Sequence, residues 1–370
     1  MRALRPGTLH RRTAALTLGL ALALGALAPQ AGAAPPEPGP ATSAEAAGAA
    51  AAARQYPDGR GRFANPGVVH DGDKWVMLST GSWSTGGRIA VADAAKGPWD
   101  RLSRDLLTRR PQWASTSNHS VWAPSIARAD DGGYVVYYSA VVRGTDGRRC
   151  IGTGRADRST GPFVPHDRPI ACWAGSGTNP FDAIPSESGN FKLIDATPAR
   201  VGSQLVLTYK TSNGYQSSGR QMWHTTTRML KLDPARPDRP VANPRHADGG
   251  SIKLTDARSK YIEENPVMVK RGARYTLFTS FGWYGTCDYH TRYRQNGSLW
   301  NGWLDRGPTR LPMPSDTCGT GNAHVVRGLP DDSWRVFYNG HVTDVRRSPF
   351  TLYVGWVAWN NGRPKVPGRL

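Results

Sequence analysis

Two carboxylates, Asp195 and Glu264, stand with Asn65, Trp122 and His324 at corresponding points of five short repeats in this 370-residue chain. Together these side chains suit a carbohydrate. A sugar stacks on an aromatic face and bonds to charged groups. Cleaving a glycosidic bond needs one carboxyl held protonated and a base that activates water. Each residue has a plainer role open to it. An Asp beside a strand start often caps a turn, Trp122 could serve packing alone, and a single His is commonly a core residue. Glu264, in Tyr261-Ile-Glu-Glu-Asn-Pro, is the hardest to explain as structure, because Glu suits a strand start flanked by Pro poorly.

The elements that must position these residues repeat along the chain. Apolar runs open at Asn65-Pro-Gly-Val-Val, Ala123-Pro-Ser-Ile-Ala, Asp195-Ala-Thr-Pro-Ala, Glu264-Asn-Pro-Val-Met and Ala323-His-Val-Val-Arg. Each reaches a turn of Gly, Asp or Ser, and an aromatic-rich strand follows, which is a hairpin signal. Further strands are visible in Arg88-Ile-Ala-Val-Ala, Cys150-Ile-Gly-Thr-Gly and Leu352-Tyr-Val-Gly-Trp. A hairpin unit recurring at roughly 60–70 residues predicts a radial array. The expected fold is all-β, a five-bladed β-propeller with four-stranded antiparallel blades, in which the first strand of every blade leads to a shared axis. Gly97-Pro-Trp and Gly161-Pro-Phe add a turn and an aromatic suited to plug between blades.

Composition bounds the rest. Residues 1–33 read as a signal peptide: Arg2, Arg5, Arg11 and Arg12 form a basic head, Ala14 to Leu27 an apolar stretch, and Ala31-Gly-Ala a cleavage site. The Arg11-Arg12 pair raises twin-arginine export, and a retained membrane anchor is the alternative to cleavage. The apolar stretch is short for a span, so no membrane association is expected after cleavage. Residues 34–53, rich in Ala and Pro, read as a linker, and 54–370 as one domain. The protein is expected to be secreted and monomeric. Four cysteines in an exported chain argue for two disulfides, and proximity favours Cys150 with Cys172 and Cys287 with Cys318. The net charge of +19 falls by four once the signal arginines are gone. The remaining arginines are scattered among turns, which speaks against nucleic acid and for a solvated face or an acidic polysaccharide.

With its motifs in order, the chain resembles the five-bladed propellers of glycoside hydrolase family 43, the arabinanases, arabinofuranosidases and xylosidases. The resemblance spans roughly residues 62 to 366. It rests on Val121-Trp-Ala-Pro-Ser, the two Gly-Pro-aromatic turns, Ile194-Asp195, Glu264-Asn-Pro and Gly319-Thr-Gly-Asn-Ala-His324. It implies Glu264 as general acid and Asp195 as the residue that tunes and orients it. It implies Trp122 and His324 in substrate binding, with His324 on the axis where many members hold a calcium ion or a water cluster. No cofactor is required for the implied reaction, and the implied substrate is an arabinose- or xylose-containing polysaccharide or oligosaccharide.

The departure is in the first repeat, where the family's general-base Asp is Asn65. An amide cannot accept a proton from water at any useful pH. Asp58 could fold back over the axis, Asp182 or Asp288 could supply the base from a loop, or the domain could bind sugar without cleaving it. An inverting glycoside hydrolase is therefore the first expectation and a silent carbohydrate-binding propeller the second. A protein-interaction scaffold comes third, since it has no use for carboxylates in a channel.

Overall fold

The computed structural model describes residues 63–84, 88–173, 191–241, 250–328, 333–342 and 350–370. The signal segment, the linker, Asp58 and Asp182 lie outside these residues. Every regular element among the described residues is a strand. No helix among them is long and apolar enough to cross a membrane.

Each repeat supplies an inner strand: Gly67–His70, Ser120–Arg128, Lys192–Val201, Ile262–Arg271 and Thr317–Arg327. Each turns back into an antiparallel partner where the turn residues stand. Val69 faces Val76, Ile126 faces Val136, Ala199 faces Val206, Val269 faces Thr276, and Val325 faces Val336. The inner strands neighbour one another in chain order, and the fifth lies against the first.

The apolar core is divided in the same order. Val76 and Leu78 pack with Val121 and Tyr138, and Val135 and Tyr137 with Leu193 and Leu207. Val206 and Met229 pack with Met268 and Leu277, and Val267 and Phe278 with Val325 and Tyr338. The remaining cluster joins Phe337 and Val354 of the last repeat to Val68 and Trp75 of the first. Successive strand residues point to opposite faces, so Val135 and Tyr137 enter one cluster while Val136 and Tyr138 enter the next. That explains why the second strands read as unbroken apolar runs: both faces are covered. Trp99 and Phe163, after the two Gly-Pro turns, are buried in these clusters, with Trp99 5.9 Å from Phe337 between ring centres.

Strand pairing does not divide into five four-stranded sheets. Two sheets have four strands, beginning at Gly67 and at Ile262, and a three-stranded sheet begins at Thr317. A nine-stranded sheet runs through the second and third repeats. It is joined by one parallel pairing, Lys192 with Arg149, and by the short strand Gly81–Ser82 beside Val121 and Ser120. Both expected disulfides are present, Cys150–Cys172 and Cys287–Cys318.

Candidate active site

Four of the five inner strands are bulged at a repeat-equivalent point. Register slips between Trp122 and Ser125, between Ile194 and Thr197, between Glu264 and Val267, and on both sides of Gly321. A bulge re-aims the side chain within it. At that point every repeat has a left-handed residue: Asn65 (φ 52°), Ala123 (43°), Asp195 (59°), Asn265 (50°) and Asn322 (53°). Asn and Asp tolerate this backbone because their short polar side chains bond locally, which accounts for four of the five residue types. All five, with His324, line one cavity of about 20 Å³.

The repeat-equivalent set therefore differs from the one read off the sequence. Asn65 and Asp195 belong to it. Trp122 and Glu264 lie one residue before it, and His324 lies two residues after Asn322. The Pro that follows Asn65, Ala123 and Asn265 was the available signal.

The one-residue offset gives Glu264 its surroundings. Its neighbour Glu263 points to the opposite face, where Arg292, Arg294 and Thr279 hold it in a buried cluster. Glu264 is turned toward Lys210 of the third repeat and Tyr289 of its own. Its Oε2 accepts from Lys210 Nζ at 2.7 Å, and its Oε1 lies 2.7 Å from the Tyr289 hydroxyl. Tyr289 reaches this place because residue 321 is Gly, where an added Cβ would stand 2.0 Å from the tyrosine ring. Neither Lys210 nor Tyr289 was expected from the sequence. Each sits mid-strand or after a loop, with no motif to mark it.

A chain of amides fixes the geometry around the tyrosine. Asn339 Nδ2 donates to the Phe63 carbonyl (2.9 Å), so its Oδ1 accepts from the Asn65 N–H (3.2 Å) and from Asn322 Nδ2 (3.3 Å). Asn322 Oδ1 in turn accepts from Asn265 Nδ2 (2.5 Å) and from the Tyr289 hydroxyl (2.6 Å). That hydroxyl has one proton and two oxygens to serve. With a proton on Glu264 Oε1, the carboxyl donates to Tyr289 and Tyr289 donates to Asn322. Without it, Tyr289 turns its proton to Glu264.

Asp195 is buried one strand away. Its Oδ2 accepts from the Asn265 N–H at 3.2 Å, next to Glu264 in sequence. Burial pushes its carboxyl up to about 7; Lys210 opposes the rise and the nearby Glu264 charge adds to it. So desolvated a place favours the neutral form of the Asp195 carboxyl near neutrality.

The other expected residues are placed as follows. Asn65 Nδ2 donates to Thr80 Oγ1 (3.4 Å), which also accepts from the Ala123 N–H (3.0 Å). One face of Trp122 is covered by Arg149, whose guanidinium carbon is 3.6 Å from the ring centre. His324 is buried, and burial lowers its imidazole to about 4, so the ring is neutral at physiological pH. Asp288 is exposed on the loop before Tyr289. The axial cavity has room for about one water. Asp195 is the one carboxylate among its lining residues, and no chemistry is routed through an axial ion.

No protein-family model matches the chain. A sequence relative, named as a probable arabinan endo-1,5-α-L-arabinosidase C of Aspergillus flavus, is 28% identical over 163 residues. That match covers 40% of this chain and 45% of the relative, so the chain spans about half the length of the relative it matches. Among solved structures, a thermostable family-43 glycoside hydrolase aligns with TM-score 0.63 and 16% identity over 82% of this chain and 92% of its own. The endo-1,5-α-L-arabinanase of Thermotoga petrophila aligns with TM-score 0.59 and 17% identity over 85% of this chain and 76% of its own. This chain has the fold of the family 43 glycoside hydrolases, and its sequence relatives include arabinan endo-1,5-α-L-arabinosidases.

Proposed function

We propose that this protein is a secreted glycoside hydrolase of five-bladed propeller architecture that cleaves arabinan by inversion. The observation that carries the reading is the buried Asp195–Glu264–Lys210 group, in which burial raises the Asp195 carboxyl so that a proton is held beside Glu264 near neutrality. Glu264 gives that proton to the leaving glycosidic oxygen as the bond to the anomeric carbon breaks. Water attacks the same carbon from the opposite face and loses its proton to a base. Asp195 stores the proton and orients the acid through Asn265. Lys210 and Tyr289 hold the two oxygens of Glu264, and the tyrosine's single proton follows the state of the carboxyl. The ring closure of inner strands and the five boundary clusters support the architecture.

The base is a carboxylate other than residue 65. Asp58 is the first candidate, with Asp182 and Asp288 as the others. A second reading, sugar binding without cleavage, is favoured by Asn65 itself, whose amide is tied to Thr80. Substitution separates the two readings. In a hydrolase, release of arabinose oligomers from debranched arabinan survives in the parent and is lost in one of Asp58→Asn, Asp182→Asn or Asp288→Asn. A silent parent that gains activity on Asn65→Asp establishes the binding reading instead.

A further inference from the structure

The left-handed residue of each repeat is followed, five residues on, by a basic one: Asn65 by His70, Ala123 by Arg128, Asp195 by Arg200, Asn265 by Lys270 and Asn322 by Arg327. The strand register bears out the equivalence. Each of the five faces the residue that opens the second strand of its hairpin, Trp75, Tyr134, Leu205, Tyr275 and Trp334 in turn. Five residues of strand span about 16 Å, so the basic positions stand at the end of the inner strands away from Asp195.

A second cavity, of about 600 Å³, lies at that end. All five inner strands give it apolar walls, among them Val69, Ile126, Ala199, Val269 and Val326. Thr197, Val267 and His324 line both this cavity and the small one beside Asp195, so they form the partition between the two. Arg128, Arg200, Lys270 and Arg327 all line the larger cavity, and none of the described residues that line it is a carboxylate. The three arginines are exposed. Lys270 leans toward the third repeat, where a Cβ added at Gly202 would stand 3.2 Å from its Nζ. His70 turns aside: its Nδ1 accepts from the Gly72 N–H at 3.3 Å, and its ring lies 5.0 Å from that of Trp75. Asp130, outside the cavity, pairs with Arg200 at 2.6 Å, and solvent screens that exposed contact.

We propose that this cavity binds a small amphiphilic anion, with its acid group held by Arg128, Arg200, Lys270 and Arg327 and its apolar body lying between the walls. Four cations converging on one opening repel one another, and an anion among them relieves that repulsion. The guanidinium fork matches a carboxylate or a phosphate with two parallel hydrogen bonds. Small-molecule sites occupy roughly 300–1,000 Å³ and are mostly apolar with a few polar groups, as this cavity is. A long polyanion would use the charges and leave the walls empty, so the lining favours a small ligand. The site lies across the His324 partition from Asp195 and does not depend on the glycosidase reading.

The test is titration calorimetry of the full chain with decanoate, decyl phosphate, decyltrimethylammonium and polygalacturonate, the decyl compounds below their micelle concentrations. Decanoate or decyl phosphate should bind at one site per chain, and the preference between them names the head group. The decyl cation should not bind. The double variant Arg128→Gln, Lys270→Gln should weaken binding of the anion by about tenfold, while Lys270→Arg retains it. Ala199→Leu, which narrows the cavity and leaves the charges in place, should weaken it as well, with Ala199→Val as the milder change if the leucine variant does not fold. Thermal unfolding of each variant checks its fold. Failure of both decyl anions to bind overturns the proposal, and so does equal binding of decyl anion and cation. Anion binding that is the same in the parent and the double variant also overturns it, as does binding indifferent to the filling of the cavity. Polygalacturonate held by the same cations, with no decyl anion bound, replaces it with a polymer site on the charges alone.

Discussion

Asp195 and Glu264 are separated by one step of the repeat pattern, and that step decides how each is held. Asp195 sits in the bulge, with a backbone that Asp and Asn both accept. Glu264 precedes the bulge and reaches Lys210 and Tyr289. The raised Asp195 carboxyl has a consequence for stability. Burial raises Asp195 from 3.8 to about 7, so between those values the folded chain holds a proton that the unfolded chain has released. Its contribution to stability is full below about pH 4 and is lost as the pH rises through about 7. His324 acts in the opposite sense. Its folded value of about 4 lies below its ordinary 6.5, so its contribution grows with pH between the two. The quantity to measure is thus the difference between parent and Asp195→Asn in urea unfolding from pH 4 to 8. The variant should gain on the parent as pH rises. Parallel pH profiles would show that Asp195 does not hold the proton.

At the scale of strands and loops, the two disulfides make contrasting predictions. Cys150 and Cys172 are buried beneath the first two repeats, whereas Cys287 is on the exposed loop before Tyr289. Mild reduction followed by alkylation and mass spectrometry should label Cys287 and Cys318 first; labelling of Cys150 and Cys172 first would contradict this placement. Replacing the Cys287–Cys318 pair by serine should cost about 3 kcal/mol, from the entropy of the loop it closes. Both pairings were legible in the sequence, because an even cysteine count and proximity leave little choice. The hairpins were equally legible, since turn residues between apolar runs are local signals. The bulge was harder to see. It shifts Trp122 and Glu264 one residue off the repeat-equivalent point, and only the Asn-Pro and Ala-Pro pairs hinted at it. Lys210, Tyr289 and the amides of Asn322 and Asn339 were invisible, since they join the site across repeats and no local pattern announces such contacts.

In the whole molecule, the last repeat is sewn to the first. Phe337 lies fully buried between Trp75 and Trp99, at 5.7 Å and 5.9 Å between ring centres, and Asn339 bonds the Phe63 carbonyl nearby. Phe337→Ala opens a cavity at that seam and should cost about 3–5 kcal/mol in chemical denaturation. A loss below about 1 kcal/mol, the level of a surface substitution, would mean that the seam does not hold the molecule together. The same closure carries Asn65 of the first repeat to Asn339 of the fifth, and through Asn322 and Tyr289 to Glu264. Glu264 is therefore where the molecule's architecture meets its proposed chemistry. The most direct measurement is the turnover of debranched arabinan by the wild-type protein and by Glu264→Gln, with folding of both verified. The account predicts that the wild-type protein releases arabinose oligomers and that the variant loses ~10²–10⁴-fold in kcat while still binding the chain. Wild-type hydrolysis that survives Glu264→Gln would contradict it.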